Sequence, residues 1–165
     1  MNAPRRRACR RGIALLLAVG LVGCDMPRDP EGTLDRVRGG TLRVGISHNP
    51  PWTEVTDGQA AGLETELLQE LATALGTEIE WIEDSEGDLL KALRRGELDV
   101  VACGLVESTP WSKQVGLTQP YLTRAGQAHV LAVRSGENAW LLQLDRFLQS
   151  RRAEIRQKAE AEAGE

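Results

Sequence analysis

Histidine occurs only twice in the 165 residues, at positions 48 and 129, and cysteine three times, at 9, 24 and 103. Ligands this isolated do not form a metal site of ordinary spacing, which draws three or four Cys or His side chains from short motifs, so no metal and no cofactor are expected. No Ser/His/Asp or Cys/His arrangement and no glycine-rich phosphate loop is present, so no enzyme chemistry is expected either. Aromatic residues make up only 4% of the chain, which leaves any core to be built from aliphatic side chains. The main apolar run, Ile13 to Val22, falls well short of the roughly 20 residues that span a bilayer.

That run does have a use. Arg5, Arg6, Arg7, Arg10 and Arg11 precede it as a positive n-region, and Leu21–Cys24 (LVGC) follows it in the manner of a bacterial lipobox. The pattern predicts a lipoprotein signal peptide over 1–23, with cleavage before Cys24 and lipid on Cys24. Two or more acyl chains anchor stably where one is marginal. Cys9 then leaves with the leader and Cys103 stands alone, so no intrachain disulfide is expected; Cys103 reads as a small buried hydrophobe. Removing the five leader arginines from the 20 basic residues leaves 15 against 24 acidic ones. A balance that negative argues against nucleic acid, or an anionic membrane surface, as a partner of the folded part.

From residue 24 to 39 the chain is polar and carries Pro and Gly, which predicts a flexible tether. From Thr41 the pattern alternates strand and helix. Strands are expected near 41–46, 77–82 and 98–103, with a further extended segment near 126–133, and helices near 62–76, 86–95 and from about 137 onward. Leu63, Leu67, Leu68, Leu71 and Leu75 form one apolar helical face, Leu89, Leu90 and Leu93 a second, and Leu141, Leu144 and Leu148 a third. Trp81 and Trp140 read as packing groups. This is the βαβ order of an α/β fold, a doubly wound, mostly parallel sheet with helices on both faces, within a single domain over 40–150. The remaining 151–165 is charged, has little to bury, and is expected to be a solvated helical tail.

The segment Gly96–Leu122, GELDVVACGLVESTPWSKQVGLTQPYL, reads as a buried strand running into a turn at its carboxyl end, the place where open α/β sheets bind ligands. Gly104 permits the tight turn. Ser108 or Thr109 can cap a short helix starting at Pro110, or can meet a ligand directly. The segment resembles the "GELDvv.gGlt.T..r...v.fs.PY" pattern of the solute-binding protein family 3, the bacterial periplasmic binding proteins of type II fold. GTLRVGISHNPPW (40–52), GLETELLQELATALG (62–76) and HVLAVRSGENAWLLQLDRFLQ (129–149) are similar to that family's first strand and loop, first helix and returning segment. The resemblance implies a small-molecule site built from Trp52, Gly104, Leu105, Ser108, Thr109 and Trp111. Trp52, held in a proline-stiffened loop, either faces the ligand or packs against the first helix. Glu64, in the first turn of that helix, either faces the cleft or serves the helix alone.

Two departures from the family pattern carry weight. Trp111 stands where amino-acid-binding members have an arginine that grips the ligand's α-carboxylate through two hydrogen bonds, so a free α-amino acid is not the expected solute. Tyr121 and Val130 are separated by eight residues, where two-lobed members insert a second lobe. The expected protein is therefore a one-lobe solute-binding protein on the periplasmic side of the inner membrane. It binds its solute weakly alone, and an ABC-type importer is its implied partner. The alternative is a module that docks an inner-membrane permease or sensor and takes no solute by itself.

Overall fold

The computed structural model describes residues 29–56 and 59–162. The leader and Cys24 lie outside the described residues. Helix α1 (Thr33–Val37) leads into strand β1 (Thr41–Ile46), followed by a small hairpin of β2 (Glu54–Thr56) and β3 (Gln59–Ala61). Then come α2 (Leu63–Leu75), β4 (Glu78–Glu83), α3 (Glu86–Arg95), β5 (Val100–Ala102) and a 3₁₀ turn at Pro110–Lys113. Strand β6 (Gly116–Leu117), a second hairpin of β7 (Leu122–Arg124) and β8 (Gln127–His129), strand β9 (Ala132–Val133) and helices α4 (Asn138–Ser150) and α5 (Arg152–Glu162) complete the fold.

The main sheet has the order β4-β1-β5-β9-β6. β4 and β5 flank β1 in parallel, with Val44 opposite both Trp81 and Val100. β9 enters antiparallel to both β5 and β6. The result is the mostly parallel α/β sheet expected from the alternation. Neighbouring residues of β5 serve opposite faces: Val100 and Ala102 join the core under α2, α4 and α5, while Val101 joins Leu89, Leu90 and Leu93 of α3 on the other side. Burial on both faces explains why β5 is an unbroken apolar run. Helix α3 starts at a Ser85 N-cap, whose hydroxyl accepts from the Asp88 N–H at 3.3 Å, and ends at Gly96 with φ 78°.

Two expectations need correction. The tether was expected to reach residue 39, yet Thr33–Val37 is helical, with Val37 fully buried. Carboxylates hold it there: Asp29 accepts from Leu34, Ala139 and Trp140 N–H groups at 2.7–3.0 Å, and Glu137 accepts from Glu31 and Thr33 N–H groups at 3.1 Å. Asp29 thus satisfies the exposed N-termini of α1 and α4 together. The second correction concerns the tail. Ile155 is fully buried and Ala159 is 4% exposed, so α5 packs on the core instead of lying in solvent.

Candidate ligand-binding site

β1 and β5 end side by side, with Ile46 opposite Ala102, and the loops that leave them, 47–53 and 103–109, meet above the sheet. Gly104 turns there with φ 70°. A Cβ on Gly104 would lie 2.5 Å from both Asn49 Nδ2 and Trp52 Cδ1, so glycine is what lets the indole rest on the turn. Asn49 Nδ2 donates to the Cys103 carbonyl at 2.7 Å and ties the two loops together.

Beneath this turn sits Glu64, fully buried. Its Oε2 accepts the Gly104 N–H at 3.0 Å, and its Oε1 accepts from the Tyr121 hydroxyl. Burial pushes the carboxyl up to about 7, although both hydrogen bonds pull the other way. Burial, aided by the nearby Glu64, also raises the Tyr121 phenol and the Cys103 thiol well above their ordinary values. Cys103 is 2% exposed, in keeping with a small buried hydrophobe.

The Trp52 ring is only 7% exposed. His129 stacks on it with ring centroids 3.8 Å apart and an interplanar angle of 28°, and Tyr121 meets it edge-on at 6.5 Å. Burial lowers the His129 pKa, which favours the neutral ring in this stack. The structure thus places Trp52 in packing contact with its own chain. Leu105 is buried, and its carbonyl accepts from the Val130 N–H at 2.9 Å. Thr109 is buried and its Oγ1 accepts from the Trp111 N–H at 3.4 Å, capping the 3₁₀ turn. Ser108 is exposed, and Trp111 is partly buried against the α3 cluster.

Trp52, Gly104 and Leu105 therefore converge, while Ser108, Thr109 and Trp111 continue along the same loop. Sequence reasoning left Glu64 undecided and did not assign Asn49, Tyr121 or His129 to the site. Tyr121 carried a signal in its PY motif; His129 carried none, because only the β7–β8 hairpin swings it over Trp52.

A cleft of about 210 Å³ lies at the other, amino-terminal end of β5, lined by Arg36, Arg43, Asp99, Arg134 and Glu137 among others. Its charges are internally matched. Asp99, almost fully buried, accepts from Arg43 Nε at 3.1 Å and the Arg43 N–H at 2.9 Å, and pairs with Arg36. Burial alone would raise the Asp99 carboxyl, but the bonds from Arg43 and Arg36 hold it below the usual carboxylate range. This network bolts α1 to the sheet. Among the described residues, no cluster of three or more His, Cys, Asp or Glu could hold a metal ion, and no helix is long and apolar enough to cross a membrane.

Comparison with known proteins agrees with this geometry. The chain is 37% identical over 95 residues to the membrane-bound lytic murein transglycosylase F of Vibrio cholerae, covering 56% of this chain but 18% of that protein. It is 33% identical over 82 residues to a probable histidine-binding protein of Campylobacter jejuni, covering 49% of this chain and 32% of that one. The chain thus spans a third or less of the length of these curated relatives. A solved single domain fits much more fully. Domain 1 of TmArgBP, as a Phe57Trp mutant in its arginine-bound form, superposes with a TM-score of 0.66 at 26% identity, covering 71% of this chain and 96% of that one. Residues 42–161, most of the chain, match the bacterial extracellular solute-binding proteins, family 3, and the chain belongs to that family.

Proposed function

We propose that this protein is a one-lobe extracytoplasmic solute-binding protein, held by lipid on Cys24 at the periplasmic face of the inner membrane and serving an ABC-type importer. The observation that carries the reading is the meeting of loops 47–53 and 103–109 over the ends of β1 and β5, the place where doubly wound sheets take ligands. The likeness to a single domain in an arginine-bound form supports a lobe acting alone. Trp52, Gly104, Leu105, Ser108, Thr109 and Trp111 form the proposed wall. A single wall encloses little of a ligand, so binding is weak, with a Kd above about 10 µM.

The solute is a cationic or aromatic compound that needs no α-carboxylate. Trp111 offers a π-face and one N–H donor in place of the arginine that the family pattern carries. The names of the relatives, histidine-binding and arginine-bound, point towards amino acids, and a direct comparison decides. Calorimetry with arginine and histidine against their decarboxylated amines, agmatine and histamine, should show the amines binding at least as well. Amino acids binding tenfold tighter than the amines would overturn this choice of solute.

A second reading rests on how completely the crevice is satisfied from within. Glu64 occupies the Gly104 N–H and His129 covers Trp52. A lobe so filled suits docking to an inner-membrane permease or sensor, with Trp111 as an anchor. Recovery of that partner from detergent-solubilised membranes, lost on Trp111→Ala, would favour docking; unchanged recovery would reject it.

A further inference from the structure

A second cleft, of about 290 Å³, opens between β7 and α5, with Tyr121 and Leu122 on one side and Arg124, Arg152, Arg156 and Glu160 around it. Three arginines line it in a chain with net charge −4. Among the described residues no ion pair joins any of the three to a carboxylate, while every arginine of the Asp99 network is paired. Arg152 Nη1 reaches only the neutral Gln149 Oε1, at 3.3 Å.

Arg124 is the most telling of the three. Its guanidinium lies 5.9 Å from the centre of the Trp52 ring, and its Nη1 is buried without a hydrogen-bond partner. A guanidinium keeps its charge at any physiological pH, and a buried donor with no acceptor is costly. Arg152 and Arg156 add a second cost, because like charges four residues apart on a helix repel. They are not on a frayed end: Ile155 and Ala159 bury this helix against the core and hold both arginines at the cleft. Glu160 brings one negative charge to the rim, so three positive charges face one negative. An anion with several acceptor oxygens would offset this excess of positive charge, by charge-assisted bonds to the arginines lining the cleft and by bridging the helical pair.

We propose that this cleft binds a small oxyanion, a carboxylate or phosphoryl group carried by a compact molecule. The site is independent of the solute reading, since it uses β7 and α5 rather than the loops at the strand ends. Two contacts link it to that crevice, Arg124 over the Trp52 ring and Tyr121, which lines this cleft and meets Trp52 edge-on, and they give binding an optical signal.

The test uses the full chain in detergent, titrated with inorganic phosphate, with succinate, and with glycerol 3-phosphate as a lipid-headgroup mimic, followed by calorimetry and tryptophan fluorescence. Saturable binding of at least one probe is expected, weakened by added salt. Arg124→Gln should weaken it about tenfold or more, and the double variant Arg152→Gln/Arg156→Gln by a similar factor. Preference for glycerol 3-phosphate over phosphate would identify a headgroup as the source; preference for phosphate or succinate would identify a free anion. The double variant alters only exposed side chains, so it keeps the test decisive even if Arg124→Gln fails to fold. Absence of saturation with all three probes up to about 10 mM, or binding that the folded variants leave unchanged, would overturn the proposal.

Discussion

The half of the fold from β1 to β5 and the half from β6 to α5 are held together in different ways. In the first half β1 takes β4 and β5 as parallel partners, and α2 and α3 connect these strands across the two faces of the sheet. In the second half β9 must insert between β5 and β6 and α4 must travel back to α1. Buried polar atoms fix that return. Trp140 Nε1 donates to the Asp99 carbonyl at 2.8 Å, and Asp29 and Glu137 bind the N-termini of α1 and α4. The lesson is that this lobe depends on a few long-range bonds, made after a short hairpin, to close its sheet.

The comparison breaks most severely at Trp140. Trp140→Ala removes a fully buried ring and leaves the Asp99 carbonyl without its donor, and is expected to cost about 3–5 kcal/mol in denaturant unfolding. A smaller loss, on the order of 3 kcal/mol, is expected for Asp99→Asn, which leaves two arginines facing a neutral group. The arginines are partly exposed, which tempers that loss. Asp99 also gives an acid-side dependence: its folded pKa is depressed, so its contribution is present above the unfolded value and fades as pH falls through the folded one.

Ile155→Ala tests the seat of α5 and is expected to destabilise by about 2–4 kcal/mol; a change below 0.5 kcal/mol would restore the solvated tail of the sequence reading. Glu64 acts with the opposite sign to Asp99. Its carboxyl is raised from 4.5 to about 7, so the unfolded chain releases a proton that the folded one keeps, and stability falls as pH rises through that window. The loss is on the order of 3 kcal/mol across it. Glu64→Gln should flatten the profile of melting temperature between those pH values. The smallest effect belongs to the exposed Lys91–Asp88 pair, where Lys91→Ala should leave the denaturation midpoint unchanged.

How legible each half was follows from the same division. The leucine stripes of α2 and α3 and the apolar run of β5 announced their elements, because local periodicity alone decides which face is buried. The single extended segment expected near 126–133 is two pieces, a hairpin strand ending at His129 and a separate β9. Nothing local marks Leu131 as the break. Asp29 and Thr33 lay in a Pro- and Gly-bearing stretch, and what they do there, Asp29 accepting from the Ala139 N–H and the Thr33 N–H donating to Glu137, depends on residues more than 100 positions away. Of the site, Gly104 was visible through its motif, and Tyr121 stood in a motif without being assigned to the site. The Trp52–His129 stack was not, since the two rings meet only through tertiary folding.

Native-state hydrogen exchange at β9, compared with β1 and β5, tests most directly whether the lobe stands as one closed unit. The account predicts that the Ala132 and Val133 amides are protected to the same free energy as the amides of Val44 and Val101, all opening in a single global event. Exchange at β9 that is faster by 3 kcal/mol or more, with β1 and β5 still protected, would show a return strand only loosely laid against an open sheet edge and would contradict it.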